Sequence, residues 1–243
     1  MDNLLGEFLG TMVLIVFGCG VNANMSLGKT CGHGGGWICI TTGWCFAVLM
    51  GVYTSVALGA PQADLNPSVT IAKTLAGVYT WGQFAATSLV QILGGVLGAI
   101  IVYLAYLPHW AETEGSKLGV FSTGNAAGNQ VTAFICEFIA TFFLMFLIWC
   151  IFSKGVGGTV GLAPGFGPYL VGMLIWALGL SLGGPTGYAM NAARDLGPRI
   201  AHAILPIPDK GDGNWGYAWV PVVAPLCGGV FAYVVASATG ILG

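Results

Sequence analysis

The chain has 243 residues, of which 56% are hydrophobic and only 7% are charged, and its formal net charge is −2. Soluble domains carry about 25% charged residues, so a chain this poor in charge cannot cover a water-facing surface, and its composition predicts an integral membrane protein. The slightly negative net charge also excludes the basic surface that nucleic-acid binding requires, so we expect no nucleic-acid partner.

Long apolar segments follow one another along the chain, most of them close to the roughly 20 residues that a helix needs to cross a bilayer. The first segment has no basic leader and no obvious cleavage site, so we interpret it as a retained span rather than a signal peptide. The sequence therefore predicts an all-α membrane protein with six transmembrane helices, at residues 4–21, 38–58, 84–107, 131–152, 169–182 and 220–242.

Two further apolar segments, 66–75 and 191–205, are too short to cross a membrane. Both begin with asparagine, a good N-cap, and the first continues with proline at a position where a missing N–H has little cost. Each predicts a helix of about 15–22 Å at 1.5 Å per residue, against a bilayer core of about 30 Å. Two such half-helices that meet end to end would form one composite span.

The chain also contains an internal repeat, since "GEFLGTMVLIVFG" (6–18) resembles "CEFIATFFLMFLI" (136–148). Each half holds three spans and one half-helix, and an odd number of spans forces the halves into opposite orientations. We therefore predict one domain over residues 1–243, built from inverted repeats at 1–110 and 125–243. The repeat aligns Glu7 with Glu137, and Asn66, Pro67 and Ser68 with Asn191, Ala192 and Ala193.

Broken helices at matching places of two inverted repeats indicate a site at the bilayer midplane. Each half-helix directs an N-terminus of about +0.5 charge toward that plane, and two such ends repel cations, including hydronium. The amides of Asn66 and Asn191 can cap their helices and also donate to a passing oxygen. Either motif alone fits an ordinary capped re-entrant loop equally well, but the matched pair favours a pore.

The segments "LNPSVTIA" and "GYAMNAARDLGPR" resemble the two asparagine-containing boxes of the aquaporin (major intrinsic protein) family. Together with the spans and the Glu-Phe repeats, they identify a similarity to the aquaglyceroporin branch, which includes bacterial glycerol-uptake facilitators. Ser68 stands where the family usually has alanine, and Ala192 stands where it has proline. Both asparagines are kept, so the resemblance still implies a pore.

The resemblance implies a selectivity constriction formed by Trp44, Gly179, Tyr188 and Arg194. An arginine at membrane depth costs at least about 2.5–3.5 kcal/mol, so it is expected to face water or a partner. The two aromatic rings would receive the carbon chain of a solute, and the guanidinium would donate to its oxygens. Gly179 leaves room where water-selective members carry histidine, so the set suits glycerol.

Acidic residues close to the pore are assigned supporting roles by the same resemblance. Glu7 and Glu137 are expected to accept hydrogen bonds from backbone N–H groups of the re-entrant loops, and Asp195 to accept N–H groups near the start of its own helix. Asp64 replaces the histidine usual in the family. We interpret it as an acid that favours the adjacent helix N-terminus; the alternative hypothesis is a vestibule residue that tunes pH response or solute choice.

The predicted function is passive diffusion of glycerol and other small neutral solutes, with some water, while ions and protons are excluded. No cofactor is expected, and an enzyme is not favoured because His33, His109 and His202 are scattered along the chain. The resemblance implies a homotetramer in the lipid bilayer of the plasma membrane, with both termini cytoplasmic. The alternative function is a proton-coupled or pH-gated transporter of a small organic solute or weak acid.

Overall fold

The computed structural model describes residues 3–158 and 160–242, and within these ranges the chain forms ten α-helices. Two of them are single turns in the connections, and the other eight are the spans and half-helices. The helices are α1 (Leu4–Ser26), α2 (Gly36–Ala57), α3 (Pro67–Leu75), α4 (Trp81–Ala105), α5 (Leu118–Phe121), α6 (Gln130–Phe152), α7 (Lys154–Gly157), α8 (Phe166–Leu182), α9 (Ala192–Ile204) and α10 (Val220–Ala238).

Five of the helices in the described ranges (α1, α2, α4, α6 and α10) are long and apolar enough to cross a membrane. The sixth predicted span, α8, is apolar but has 17 residues. A helix of that size is about 25 Å long at 1.5 Å per residue, which lies at the lower limit for a span. The two half-helices have 9 and 13 residues. The predicted all-α membrane fold is confirmed.

The two half-helices pack against the opposite half of the chain. Helix α1 packs against α2 and α4, and α6 packs correspondingly against α8 and α10. Half-helix α9 then lies on α4, whereas α3 lies on α10. Glycines allow this close approach: a Cβ at Gly95 on α4 would lie 2.8 Å from the carbonyl oxygen of Ala193, and a Cβ at Gly229 on α10 would overlap the carbonyl of Ser68.

The loops that precede the half-helices share an unusual backbone. In each loop the residues three and one positions before the asparagine have positive φ although none is glycine: Ala63 (41°) and Leu65 (52°), Tyr188 (41°) and Met190 (46°). Such conformations cost on the order of 1–3 kcal/mol each and persist only where neighbouring groups enforce them. The surroundings of both loops must therefore supply compensating bonds.

Candidate functional site

Two cavities enter the bundle and are separated by one constriction. The larger, of about 550 Å³, extends between the loops and the half-helix tips. The smaller, of about 210 Å³, opens on the side where α9 ends. Trp44, Tyr188 and Arg194 border both cavities, whereas Asn66 and Asn191 border only the larger one. We call the end of the path next to the smaller cavity the Arg194 mouth and the opposite end the Lys73 mouth.

Asn66 lies at the N-terminal tip of α3. Its Oδ1 accepts a hydrogen bond from the N–H of Ser68 at 2.8 Å, and Pro67 occupies the first helical position. Its Nδ2 donates to the carbonyl of Met190, in the opposite loop, at 2.7 Å. An amide NH₂ group carries two hydrogens, so one N–H remains for an oxygen atom in the larger cavity.

Asn191 forms the matching arrangement at the tip of α9. Its Oδ1 accepts from the N–H groups of Ala193 at 2.9 Å and Arg194 at 3.1 Å. Its Nδ2 donates to the carbonyl of Leu65 at 2.7 Å. The asparagines thus bond reciprocally across the two loops, which brings the half-helix N-termini, Ala192 included, together at one level of the bundle.

Glu7 on α1 supports the first loop from a fully buried position. Its carboxylate accepts from the backbone N–H groups of Asp64 at 2.7 Å and Leu65 at 2.8 Å. The side chain of Gln91 on α4 adds a third bond at 2.8 Å. These charge-assisted bonds hold the backbone in its strained conformation.

Glu137 on α6 has the same relation to the second loop. It accepts from the N–H groups of Ala189 at 2.9 Å and Met190 at 2.8 Å, and from the hydroxyl of Thr186 at 2.6 Å. The N–H groups that it binds lie two and one positions before Asn191, as those bound by Glu7 precede Asn66. Both carboxylates are therefore occupied by structural hydrogen bonds.

Arg194 lies in the first turn of α9 and is 5% exposed. Its guanidinium carbon lies 3.9 Å from the centroid of the Trp44 ring, a cation–π arrangement. Its Nη1 donates to the carbonyl of Phe121 in α5 at 3.0 Å. A guanidinium has five N–H groups, so with one directed at Phe121, others remain for oxygen atoms in the two cavities that Arg194 borders.

Gly179 contributes to the constriction indirectly, since it borders neither cavity. A Cβ there would lie 2.9 Å from Cζ of Tyr188 and 3.0 Å from Cγ2 of Thr41. The Tyr188 ring covers this glycine and meets the rings of Trp37 and Trp44 edge-on, with centroids 5.7 and 6.5 Å away. The absence of a side chain at 179 makes room for Tyr188, and Tyr188 in turn forms the wall.

Asp195 was expected to accept N–H groups at the start of its own helix, and this prediction is wrong. One carboxylate oxygen accepts from the N–H and the hydroxyl of Thr123, at 2.8 and 2.6 Å. The other pairs with the guanidinium of Arg199 one turn later on α9, with Nη2 at 2.7 Å. Asp195 thus joins α9 to the loop after α5. Because it pairs with Arg199, it does not neutralise the adjacent Arg194, whose charge remains available to a solute in the pore.

Asp64 forms an ion pair at the Lys73 mouth. Its Oδ1 lies 2.5 Å from Nζ of Lys73, and its side chain is fully buried. Lys73 also donates to the carbonyl of Gln62 at 3.0 Å. Burial and the neighbouring Asp64 carboxylate raise the pKa of Tyr79 above its ordinary value. The side chain of Asp64 thus ties the first loop to the far end of α3.

Several partners in these networks were not predicted from the sequence. Gln91 and Asn22 are polar residues inside apolar helices, which was the one available signal, because a buried amide requires a partner. The other partners lie in loops or within the half-helices, where the local sequence does not indicate which group they bind: Lys73, Thr123, Thr186 and Arg199.

Comparisons with known proteins agree with this architecture. The sequence profile of the "Major intrinsic protein" family matches residues 1–235. A probable glycerol uptake facilitator protein of Thermotoga maritima is 50% identical over 95% of this chain and 96% of its own. The glycerol uptake facilitator protein of Bacillus subtilis is 47% identical, over 96% of this chain and 83% of its own.

A solved structure shares the fold as well. The aquaglyceroporin from Plasmodium falciparum superposes with a TM-score of 0.83 at 28% identity, over 97% of this chain and 94% of the other. The profile match and the relatives near 50% identity each span nearly the whole sequence. The chain therefore belongs to the major intrinsic protein family.

Proposed function

We propose that the protein is a passive channel for glycerol and similar small neutral solutes, with some water. The observation that carries this proposal is the constriction at which Trp44, Tyr188 and Arg194 border both cavities. Two rings and one guanidinium form an amphipathic slot, in which the rings receive a CH edge while the guanidinium donates to hydroxyl oxygens. The names of the relatives support glycerol as the main solute.

Passage is selective because the slot compensates a neutral polyol for its lost hydration but does not compensate an ion. A polyol that enters exchanges water for the free N–H groups of Arg194 and loses little on the apolar side. A cation meets a fixed guanidinium charge at the constriction, and then the positive ends of two half-helices. An anion would leave its hydration shell for a path whose larger cavity is walled mainly by apolar residues.

Proton exclusion follows from the asparagines. Asn66 and Asn191 each retain one N–H at the same level of the larger cavity. A water that accepts from both directs its own hydrogens away from the midplane on each side. This orientation interrupts a continuous chain of water hydrogen bonds, along which a proton would otherwise pass.

We infer a single channel domain of two inverted repeats, assembled as a homotetramer in the plasma membrane. Large apolar side chains are exposed on the spanning helices, for example Phe17, Phe46, Leu89 and Phe143. They supply the surface that lipid or neighbouring protomers would cover. The family resemblance supports cytoplasmic termini and an Arg194 mouth that faces outward.

The proposed function is tested by stopped-flow light scattering on proteoliposomes under separate glycerol, urea and water gradients. We expect glycerol permeability well above that of protein-free liposomes prepared in parallel, and no change when a proton gradient is imposed. Glycerol flux equal to that of the protein-free liposomes would contradict the substrate. Accumulation against a gradient, driven by protons, would contradict the channel and support the coupled transporter instead.

A coupled transporter needs carboxylates that are free to bind and release an ion. Glu7, Glu137 and Asp195 are all occupied by structural bonds. Asp64 is paired with Lys73. These pairings favour the passive channel and assign the Asp64 side chain a structural role.

Replacing Asp64 with asparagine is expected to lower the free energy of unfolding by about 1.5–3 kcal/mol, the range for a hydrogen bond to a charged group. The physical reason is that Lys73, which is 14% exposed, would lose its buried counter-charge. Replacing Lys73 with methionine in the same chain should restore part of the loss. The measurement is the melting temperature in detergent.

The matched control is the ion pair between Lys29 and Glu112, whose side chains are 72% and 46% exposed. Replacing Glu112 with glutamine should change stability by less than about 1 kcal/mol. Glycerol flux is measured against pH on the same proteins. A pH profile that shifts in the Asp64 variant but not in the Glu112 variant would contradict the structural role and favour gating.

A further inference from the structure

A buried asparagine on α1 lies beside the constriction. Asn22 is 6% exposed and borders the smaller cavity. Its Oδ1 accepts a hydrogen bond from the indole Nε1 of Trp44 at 3.1 Å. Its Nδ2 lies 3.3 Å from the carbonyl oxygens of Gly119 and Val120 in α5. The amide therefore joins α1, α2 and α5 beside the residues that border both cavities.

Gly18, one helical turn earlier on the same face of α1, completes the support. A Cβ at Gly18 would overlap the six-membered ring of Trp44. The absence of a side chain at Gly18 thus lets the six-membered ring of the indole pack directly against α1. Asn22 binds the N–H of the five-membered ring. Residues four apart on a helix lie one above the other, so Gly18 and Asn22 act on one side chain together.

This support decides which face of Trp44 a solute meets. Because its one N–H is bonded to Asn22, the indole has no donor to offer in the path. The ring carries Arg194 at 3.9 Å from its centroid, so a tilt of the indole would also move the guanidinium. Asn22 and Arg194 both donate hydrogen bonds to carbonyls of α5. This short helix therefore helps to hold both side chains that contact Trp44.

We propose that Asn22 is a positioning residue for solute selectivity, which acts by fixing the orientation of Trp44 and withholding its indole N–H from the path. This inference rests on the proposed channel function. Without Asn22, the indole N–H would seek another acceptor, either water or a solute hydroxyl in the smaller cavity. The slot would lose part of its apolar side, and discrimination between glycerol and water would fall.

The test is a double-mutant cycle with Asn22→Val, Trp44→Phe and both changes together. In the cycle the bonds from Asn22 to α5 cancel, so the coupling reports the Asn22–Trp44 pair alone. We expect Asn22→Val to lower the ratio of glycerol to water permeability by about two- to tenfold, the range that one net hydrogen bond sets. In the Trp44→Phe background, where no indole N–H exists, the same change should leave the ratio nearly constant.

Asn24→Val is the matched control. Asn24 also lies on α1 and also binds a loop, through the N–H of Gly32 at 3.1 Å, but its bond is remote from Trp44. Its replacement should leave the permeability ratio unchanged. If Asn22→Val does not fold, Asn22→Thr replaces it in the cycle, since the shorter hydroxyl also fails to reach the indole.

An unchanged ratio in the Asn22 variant, or the same fall in both Trp44 backgrounds, would overturn the inference. These outcomes are distinct from failure of the proposed function, which would show as a lack of glycerol flux in the unmodified protein. In that event the coupling is taken from the water permeability of the same four proteins, because water must pass the same ring. Zero coupling there would overturn the inference too.

Discussion

Replacing Glu137 with leucine is expected to abolish the folded protein. The change removes the acceptor for the N–H groups of Ala189 and Met190 and for the hydroxyl of Thr186. Each buried donor left without a partner costs about 1–3 kcal/mol. The loop also holds non-glycine residues at positive φ, which cost on the order of 1–3 kcal/mol each and depend on these bonds. Three such donors cost about 3–9 kcal/mol together, which approaches the whole stability of a typical domain, about 5–15 kcal/mol.

The measurements are the yield of detergent-extracted protein by size-exclusion chromatography and, separately, its melting temperature. Thr141→Val on the same helix is the matched control, since Thr141 is also fully buried but bonds only the carbonyl of Glu137 within α6, at 2.7 Å. We expect that control to cost no more than about 1.5 kcal/mol. A Glu137→Leu protein with the same melting temperature as the unmodified protein would show that the loop keeps its conformation without the carboxylate.

Replacing Gly179 with valine is expected to reduce glycerol permeability at least about tenfold, which corresponds to about 1.4 kcal/mol of added barrier. A Cβ at this position would lie 2.9 Å from Cζ of Tyr188 and 3.0 Å from Cγ2 of Thr41. Tyr188 borders both cavities, and its ring must move away from residue 179. The narrowed slot should reduce glycerol flux more strongly than water flux, because glycerol is the larger solute.

Both permeabilities are measured by stopped-flow light scattering on proteoliposomes of equal protein content. Gly184→Val is the matched control, because a Cβ at Gly184 would have no heavy atom within 4 Å. It should leave both permeabilities near those of the unmodified channel. If Gly179→Val passed glycerol as fast as this control, the Tyr188 ring would not form the wall of the constriction.

Much of the fold was predictable because its signals are local. Apolar length predicts a span whatever its neighbours are, and asparagine predicts a helix start because it caps its own N–H groups. The half-helices therefore begin where the sequence indicates, directly after Asn66 and Asn191. The helix ends were predicted less accurately, since α1 continues to Ser26 rather than ending at residue 21. Asn22 is polar and lowers the local hydropathy, but its side chain is hydrogen-bonded inside the protein.

The roles within the pore depended on tertiary structure. The sequence indicates that Gly179 is small, but the packed bundle determines that Tyr188 occupies the space beside it. Asp195 was expected to bind N–H groups at the start of its own helix, yet its partners are Thr123 in a loop and the side chain of Arg199 one turn later. The sequence likewise did not indicate that Asp64 pairs with Lys73 or that Asn22 bonds Trp44.

By itself, then, the sequence of this protein determined the membrane class, the number of spans, the paired half-helices and the residue types available to a pore. Only the tertiary structure decided which of those side chains border the path and which hold others in place. The physical reason is range: hydropathy and capping act within a few residues. A buried hydrogen bond instead requires two groups, distant in sequence, to meet within about 3 Å, and packing alone arranges that.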